Sequence, residues 1–225
     1  MLFITIEGID GSGKTNQIDK LADFFQRANK PTLITSEPAK YGTMGDQIYK
    51  IIKENKESTP ICDLLLVYTL RNLHVKNIIK PALKNDTTVI CGRYIDSSIA
   101  YYARDIKKYD ESVDKVLSLH NMAADNLMPN LTFLLDIPAK IAVERMITRK
   151  GADKFDHMKT EKMESIRQIF LHNANCGIGK NRTHIIDGTL NENAIFECIL
   201  ETIALHQNEP KNNIIITKNQ EHIAI

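Results

Sequence analysis

The chain is predicted to be an α/β domain, a five-stranded parallel sheet flanked by helices on both faces. Three observations point there. Strand and helix signals alternate along nearly all of the 225 residues. The run Leu131 to Asp136, L-T-F-L-L-D, is apolar enough for a strand covered on both sides, as parallel sheets require. A glycine-rich turn separates the first strand from the first helix.

In chain order, Leu2 to Ile6 is a short β-branched run and reads as the first strand. Gly8 to Thr15, G-I-D-G-S-G-K-T, then fits the phosphate-loop pattern G-x-x-x-x-G-K-[ST] without a gap. A polyphosphate is best held by several converging backbone N–H groups, and glycines let the chain curl that tightly. The expected cradle is Gly8, Ile9, Asp10, Gly11, Ser12, Gly13, Lys14 and Thr15. Lys14 is placed to reach the β- and γ-phosphates of a nucleotide, and the Thr15 hydroxyl to hold Mg²⁺. The following helix, Asn16 to Ala28, carries Ile18, Leu21, Ala22 and Phe25 at helical spacing, and its free N–H groups and dipole favour anions.

Thr32 to Thr35 reads as a second strand, closed by Ser36-Glu37-Pro38, and Met44 to Lys53 as a helix. Ser58-Thr59-Pro60 starts another helix, with proline in the first turn, running through Leu64, Leu65, Val67 and Leu70 to about Lys80, where Pro81 disturbs it. Thr87 to Cys91 is the third strand, entering Gly92-Arg93-Tyr94, and two helical pieces follow between Ser97 and Asp125. After the strand Leu131 to Asp136 come a helix (Ala139 to Thr148), a basic stretch (Arg149 to Lys159) and another helix (Thr160 to Ala174). A fifth strand (His184 to Asp187) and a last helix (Asn191 to His206) complete one domain over residues 1–206. The tail, 207–225, begins with a linker-like Q-N-E-P-K-N-N; Ile214 to Thr217 adds an edge strand or the terminus is loosely held.

Net charge is +1, which offers no general attraction for nucleic acid or an anionic membrane, so any cationic site must be local. Cys62, Cys91, Cys176 and Cys198 stand far apart and suit reduced, mostly buried thiols, a zinc site being the weaker alternative without two adjacent pairs. No apolar run approaches spanning length and no leader precedes the first strand, so a cytoplasmic protein is expected. A guanine-reading Asn-Lys-x-Asp motif is absent, which argues against a GTPase.

The chain resembles the thymidylate kinases, P-loop enzymes that move phosphate from ATP to dTMP, over roughly Met1 to Leu205. E-G-I-D-G-S-G-K-T is similar to the family's phosphate loop, whose acid contacts the sugar hydroxyl, a role implied for Asp10. Leu65 to Val75, L-L-V-Y-T-L-R-N-L-H-V, resembles L-L-F-x-A-x-R-x-x-H-V and implies that Arg71 meets the acceptor phosphate and base edge. G-R-Y-I-D-S-S-I-A-Y-Y, Gly92 to Tyr102, resembles D-R-[YFH]-x-x-S-x-x-A-Y-Q. It implies that Arg93 clamps the phosphates while Ser97, Ser98 and Tyr101 line the acceptor pocket; Glu37 and Val67 are further substrate candidates. Pro129 to Arg145 with R-K-G-A-D-K-F-D resembles the family's strand, helix and lid, which implies a P-loop NTPase fold with a lid near 149–159. Its cations, Arg149, Lys150 and Lys154, would offset the repulsion between two polyanions. Gly11 occupies the loop position where some relatives keep an arginine, so the lid version is implied, and a homodimer packed through helices is implied too.

Five positions depart from the pattern. Val67 replaces a phenylalanine that stacks on the base, Gly92 an aspartate, Ser36 an arginine, Tyr49 an arginine and Tyr102 a glutamine. Tyr68, Tyr101 or Tyr102 are candidates for the missing stacking, and Asp156 or Asp153 for the missing carboxylate at the metal. The readings are therefore a dTMP kinase, a kinase for another pyrimidine monophosphate such as dUMP, or a nucleotide-binding scaffold that has lost activity.

Overall fold

A computed structural model describes residues 1–54, 57–103, 109–148 and 160–208. Its centre is β1 (Phe3–Glu7), all five residues of which are buried. The helix α1 (Lys14–Arg27) crosses to β2 (Thr32–Ser36), and then come α2 (Gly42–Glu54), α3 (Pro60–His74) and the short α4 (Lys80–Lys84). The strand β3 (Thr88–Gly92) leads to α5 (Ile95–Ala103) and α6 (Tyr109–Ala124), and β4 (Leu131–Asp136) to α7 (Ala139–Ile147) and α8 (Thr160–Asn175). Finally β5 (Thr183–Asp187) is followed by α9 (Glu192–Asn208). The strands form one parallel sheet in the order β2-β3-β1-β4-β5. The expected lid and the tail with its Ile214 to Thr217 strand lie outside the described residues.

Alternation along β1 builds the two cores. Phe3 packs with Val89, Cys91, Leu134 and residues of α3, α5, α6 and α8 on one face. Ile4 and Ile6 pack with Ile90, Phe133, Leu135 and residues of α1 and α9 on the other. Each fully buried side chain of this size contributes roughly 1.5–3 kcal/mol over its exposed state. Thr5 is polar in the middle of this strand, yet its hydroxyl lies 2.7 Å from that of its cross-strand partner Thr132, so neither is left unpaired.

Most predicted boundaries fall within two residues of the observed ones. Two differ for a physical reason. The helix expected to stop near Lys80 continues past Pro81, because Val75–Ile79 widens into a turn in which the Lys80 N–H reaches back five residues to the Val75 carbonyl. Proline lacks the N–H for a regular ladder and crowds the carbonyl four residues earlier, and the wide turn relieves both. The helical piece expected from Ser97 begins at Ile95, for which Glu7 provides the cause given below.

A phosphate cradle with two arginines beside it

The turn after β1 is shaped by close approach. Gly8, Gly11 and Gly13 all have positive φ, at 137°, 81° and 97°. A Cβ on Gly8 would stand 2.7 Å from the Leu135 carbonyl oxygen, and one on Gly11 2.5 Å from that of Ala142, so β4 and α7 press directly on the loop. No side chain fits at residue 11. The Lys14 ammonium reaches over the loop to the carbonyls of Gly8 at 3.0 Å and Ile9 at 2.8 Å. Thr15 is exposed at the loop's edge, and Ser12 is buried beneath it. A pocket of about 250 Å³ opens here, bordered by Asp10, Lys14, Thr15, Ser36, Glu37 and Arg93. A larger groove of about 610 Å³ runs along β5, lined by Ile185, Leu190, Cys198 and Thr202, and none of its residues belongs to the loop.

Arg93 leaves β3 with φ 67°, a left-handed conformation unusual for arginine, while its N–H donates to the Ile6 carbonyl at 3.0 Å. The guanidinium turns onto the phosphate loop. Nη2 donates to Asp10 Oδ1 at 2.6 Å and Nη1 to Ser97 Oγ at 3.0 Å, and the ring of Tyr101 lies 5.1 Å away. The Tyr101 hydroxyl donates to the other Asp10 oxygen at 3.2 Å. Burial pushes the Asp10 carboxyl up, but Arg93 and Lys14 outweigh it and hold it below its ordinary range. Burial raises the Tyr101 phenol to about 12, so it remains a donor.

Arg71 is the second cation, and it is buried, 1% exposed. Nε and Nη2 grip Glu37 Oε2 at 2.8 and 2.6 Å, Nη2 also donates to Ser98 Oγ at 2.9 Å, and the rings of Tyr68 and Tyr94 each lie 4.6 Å from it. The other Glu37 oxygen faces His74 Nδ1 at 3.2 Å, and His74 Nε2 is 2.7 Å from the Thr35 hydroxyl. Burial raises Glu37, yet Arg71 and then His74 overcome it and lower the carboxyl. Among the described residues only Nη1 of this guanidinium lacks a protein partner.

Some expectations change. Tyr68 is 3% exposed and its hydroxyl donates to the Val116 carbonyl at 3.1 Å, so it packs the core and is not free to stack on a base. Ser97 and Ser98, expected in the pocket wall, are both 8% exposed and accept from Arg93 and Arg71. Val67 is half-buried on α3. Ser36 and Gly92, read as separate departures, are cross-strand partners at the carboxyl ends of β2 and β3, so one spot is altered twice. Tyr49 takes the Lys40 ammonium 4.5 Å from its ring centre. Arg149, Lys150, Asp153, Lys154 and Asp156 lie outside the described residues.

Three functional neighbours escaped the sequence reading. Glu7 is 0% exposed, with Oε1 accepting from Tyr94 N–H at 2.7 Å and Ser97 N–H at 3.4 Å, and Oε2 from Ser97 Oγ at 2.6 Å. Burial and then Asp96 raise it to about 7 against the pull of Ser97, Arg93 and Tyr94 N–H. His74 backs Glu37. Asp96 is clasped by Arg182, through Nη1 at 2.9 Å and Nη2 at 2.8 Å, and by Asn173 Nδ2 at 2.6 Å. A carboxylate ending an otherwise apolar strand, F-I-T-I-E, was the available signal for the first.

Parallel strands with a glycine cradle between β1 and α1, and an arginine turned onto that cradle from the end of β3, define a P-loop nucleotide-binding protein. The family model described as thymidylate kinase matches residues 6–199. The chain is 38% identical over 206 residues to a thymidylate kinase of Sulfurihydrogenibium sp. (strain YO3AOP1), covering 89% of this chain and 96% of the relative. It is 34% identical over 209 residues to that of Thermosipho africanus (91% and 98%) and 36% over 210 to that of Wolbachia pipientis subsp. Culex pipiens (90% and 95%). The chain belongs to the thymidylate kinase family, and is by that membership an enzyme.

Proposed function

We infer that this enzyme transfers the γ-phosphoryl group of ATP to dTMP, giving dTDP. One observation carries the reading: Arg93 Nη2 rests 2.6 Å from Asp10 of the phosphate loop, which supports a role for this cation between donor and acceptor phosphates. ATP brings a charge near −4 and the monophosphate about −2, so bringing them together is the main difficulty. Arg93 and Lys14 neutralise charge on the donor side. Arg71, with its one unpartnered nitrogen, serves the acceptor phosphate, and Asp10 with Tyr101 and Val67 borders the sugar and base. The acceptor phosphate is already anionic near neutral pH, so no strong general base is required, and positioning for in-line transfer is the catalytic device.

Arg149 and Lys154 complete the cationic set from a lid at about 149–159, within one domain of residues 1–206. The requirement for them is sharpened because no side chain fits at Gly11. The exposed Thr15 hydroxyl is a hard oxygen of the kind Mg²⁺ takes, so the loop fits that ion, with Asp156 as the further ligand. When bound, Mg²⁺ supplies charge neutralisation on the phosphates. Among the described residues no helix is long and apolar enough to cross a membrane. The four cysteines are unpaired, which suits a cytoplasmic location, but only Cys91 is buried, and Cys62 and Cys176 are exposed where buried thiols were expected. No nucleic-acid partner is proposed.

The test is ADP release, followed by a coupled assay, across dTMP, dUMP, dCMP, UMP and CMP. The expected result is turnover with dTMP at least tenfold more efficient than with the others. Preference for dUMP would move the acceptor assignment, and ATP binding without turnover on any monophosphate would remove the kinase.

A further inference from the structure

Arg93 is useful only if it is held still, and the structure shows what holds it. Its guanidinium is held by Asp10 on the loop and by the hydroxyl of Ser97, with the Tyr101 ring 5.1 Å away. That hydroxyl donates its proton to Glu7 Oε2 at 2.6 Å, so a lone pair is turned toward Arg93 Nη1. The same carboxylate receives the N–H groups of Tyr94 and Ser97, which are free donors at the start of α5. Glu7 therefore caps α5 from a neighbouring strand. It is also the last residue before the phosphate loop, so one side chain fixes the loop's entry and the turn carrying Arg93.

We propose that Glu7 is a positioning residue for phosphoryl transfer: by capping α5 and setting the Ser97 hydroxyl, it holds the Arg93 guanidinium over the phosphate loop. A merely structural role does not call for a carboxylate, since a fully buried one is costly and a neutral acceptor would satisfy the two N–H groups. The second oxygen must accept the Ser97 proton, so it has to serve as an acceptor and not as a donor. Glutamine at this position keeps the shape and one acceptor, but its amide offers a second donor against a hydroxyl that is itself donating. The hydroxyl then turns, and Arg93 loses one of its anchors and keeps only the hold of the loop side. The α5 helix stays in place because Asp96 is separately clasped by Arg182 and Asn173.

This inference rests on the reading of Arg93 as the phosphate clamp, and the experiment separates the two. E7Q, S97A, the E7Q/S97A double variant and R93A are compared with the native enzyme for kcat, KM for each substrate, and ATP affinity. The expected result for E7Q is a kcat lowered roughly tenfold to a hundredfold, the range for a misplaced catalytic group, with ATP affinity within about twofold of native. S97A should fall in the same direction, and the double variant should be no slower than the worse single one, because both act through Arg93. If R93A loses activity while E7Q and S97A keep kcat within about twofold, the positioning role is overturned. Losses that multiply in the double variant overturn it as well. If R93A itself keeps native kcat, the clamp reading falls. Should E7Q not fold, S97A decides alone: unaltered kcat overturns the proposal, and lowered kcat with ATP affinity kept supports it.

Discussion

Single residues in this site are charged groups taken out of water, and their cost decides what they can tolerate. Arg71 and Glu37 have side chains only 1% and 4% exposed. Removing one partner from such a pair leaves the other buried and uncompensated, so R71A should lose about 3–5 kcal/mol in urea unfolding. R71K should also lose stability, since a point charge cannot hold Glu37 through two nitrogens and reach Ser98 as well. Glu7 makes a prediction with the opposite pH sense to an ordinary carboxylate. Its folded value is raised from 4.5 to about 7, so the folded state binds the proton more tightly than the unfolded one. Its contribution to stability is then full below about pH 4.5 and is lost as pH rises through about 7. Relative to E7Q, which cannot titrate, the native protein should lose on the order of 2 kcal/mol between about pH 5 and about pH 8. Denaturant midpoints measured at both pH values check this; a difference between the two proteins that does not change with pH contradicts it.

At the scale of elements, the phosphate loop is set by what leans on it. Gly11 and Gly13 both have positive φ, but a Cβ on Gly13 meets nothing within 4 Å, whereas one on Gly11 meets the α7 backbone at 2.5 Å. G13A should therefore cost only backbone strain, about 1–2 kcal/mol. G11A adds displacement of α7 and should cost clearly more, with a larger fall in kcat, because α7 packs directly on the phosphate loop. Equal destabilisation of the two variants would show that α7 yields freely. These elements also show how far the sequence could be read. The cradle was legible because its residues are contiguous and each answers a requirement of phosphate binding. Arg93 and Arg71 were legible through resemblance, at the end of a strand and on a helix. Glu7 was not, because its partners Tyr94 and Ser97 lie 87 and 90 residues away, and only the parallel pairing of β1 with β3 brings them together. His74 was hidden in the same way, since its partners come from β2 and the turn after it. Tyr68 was one of three aromatics offered for the stacking because it neighbours Val67, and its place in the sequence did not show that the core takes up its ring and hydroxyl.

For the whole molecule, α3 joins the site to a surface. Its inner side carries Leu64, Tyr68, Leu70 and Arg71 into the core, so half of the apolar stripe from Leu64 to Leu73 serves the monomer. The outer side leaves Ile61 44% and Leu65 49% exposed. On α6, Met122 is 73% exposed, beside Ala123, whose carbonyl accepts the Asn72 amide of α3 at 2.9 Å. We propose that the homodimer implied by the resemblance packs through these two helices, since a subunit interface would cover side chains of this size left in water. A two-fold contact there would brace α3 from behind and so keep Arg71 in register with the acceptor. L65D, a substitution on the exposed side that leaves the Arg71 contacts untouched, should shift the protein from dimer to monomer in sedimentation at micromolar concentration. Its KM for the monophosphate should rise several-fold while ATP affinity holds, because only the acceptor side depends on α3. A native protein that sediments as a monomer removes the dimer. An L65D monomer with native KM leaves the dimer standing but cuts its link to Arg71.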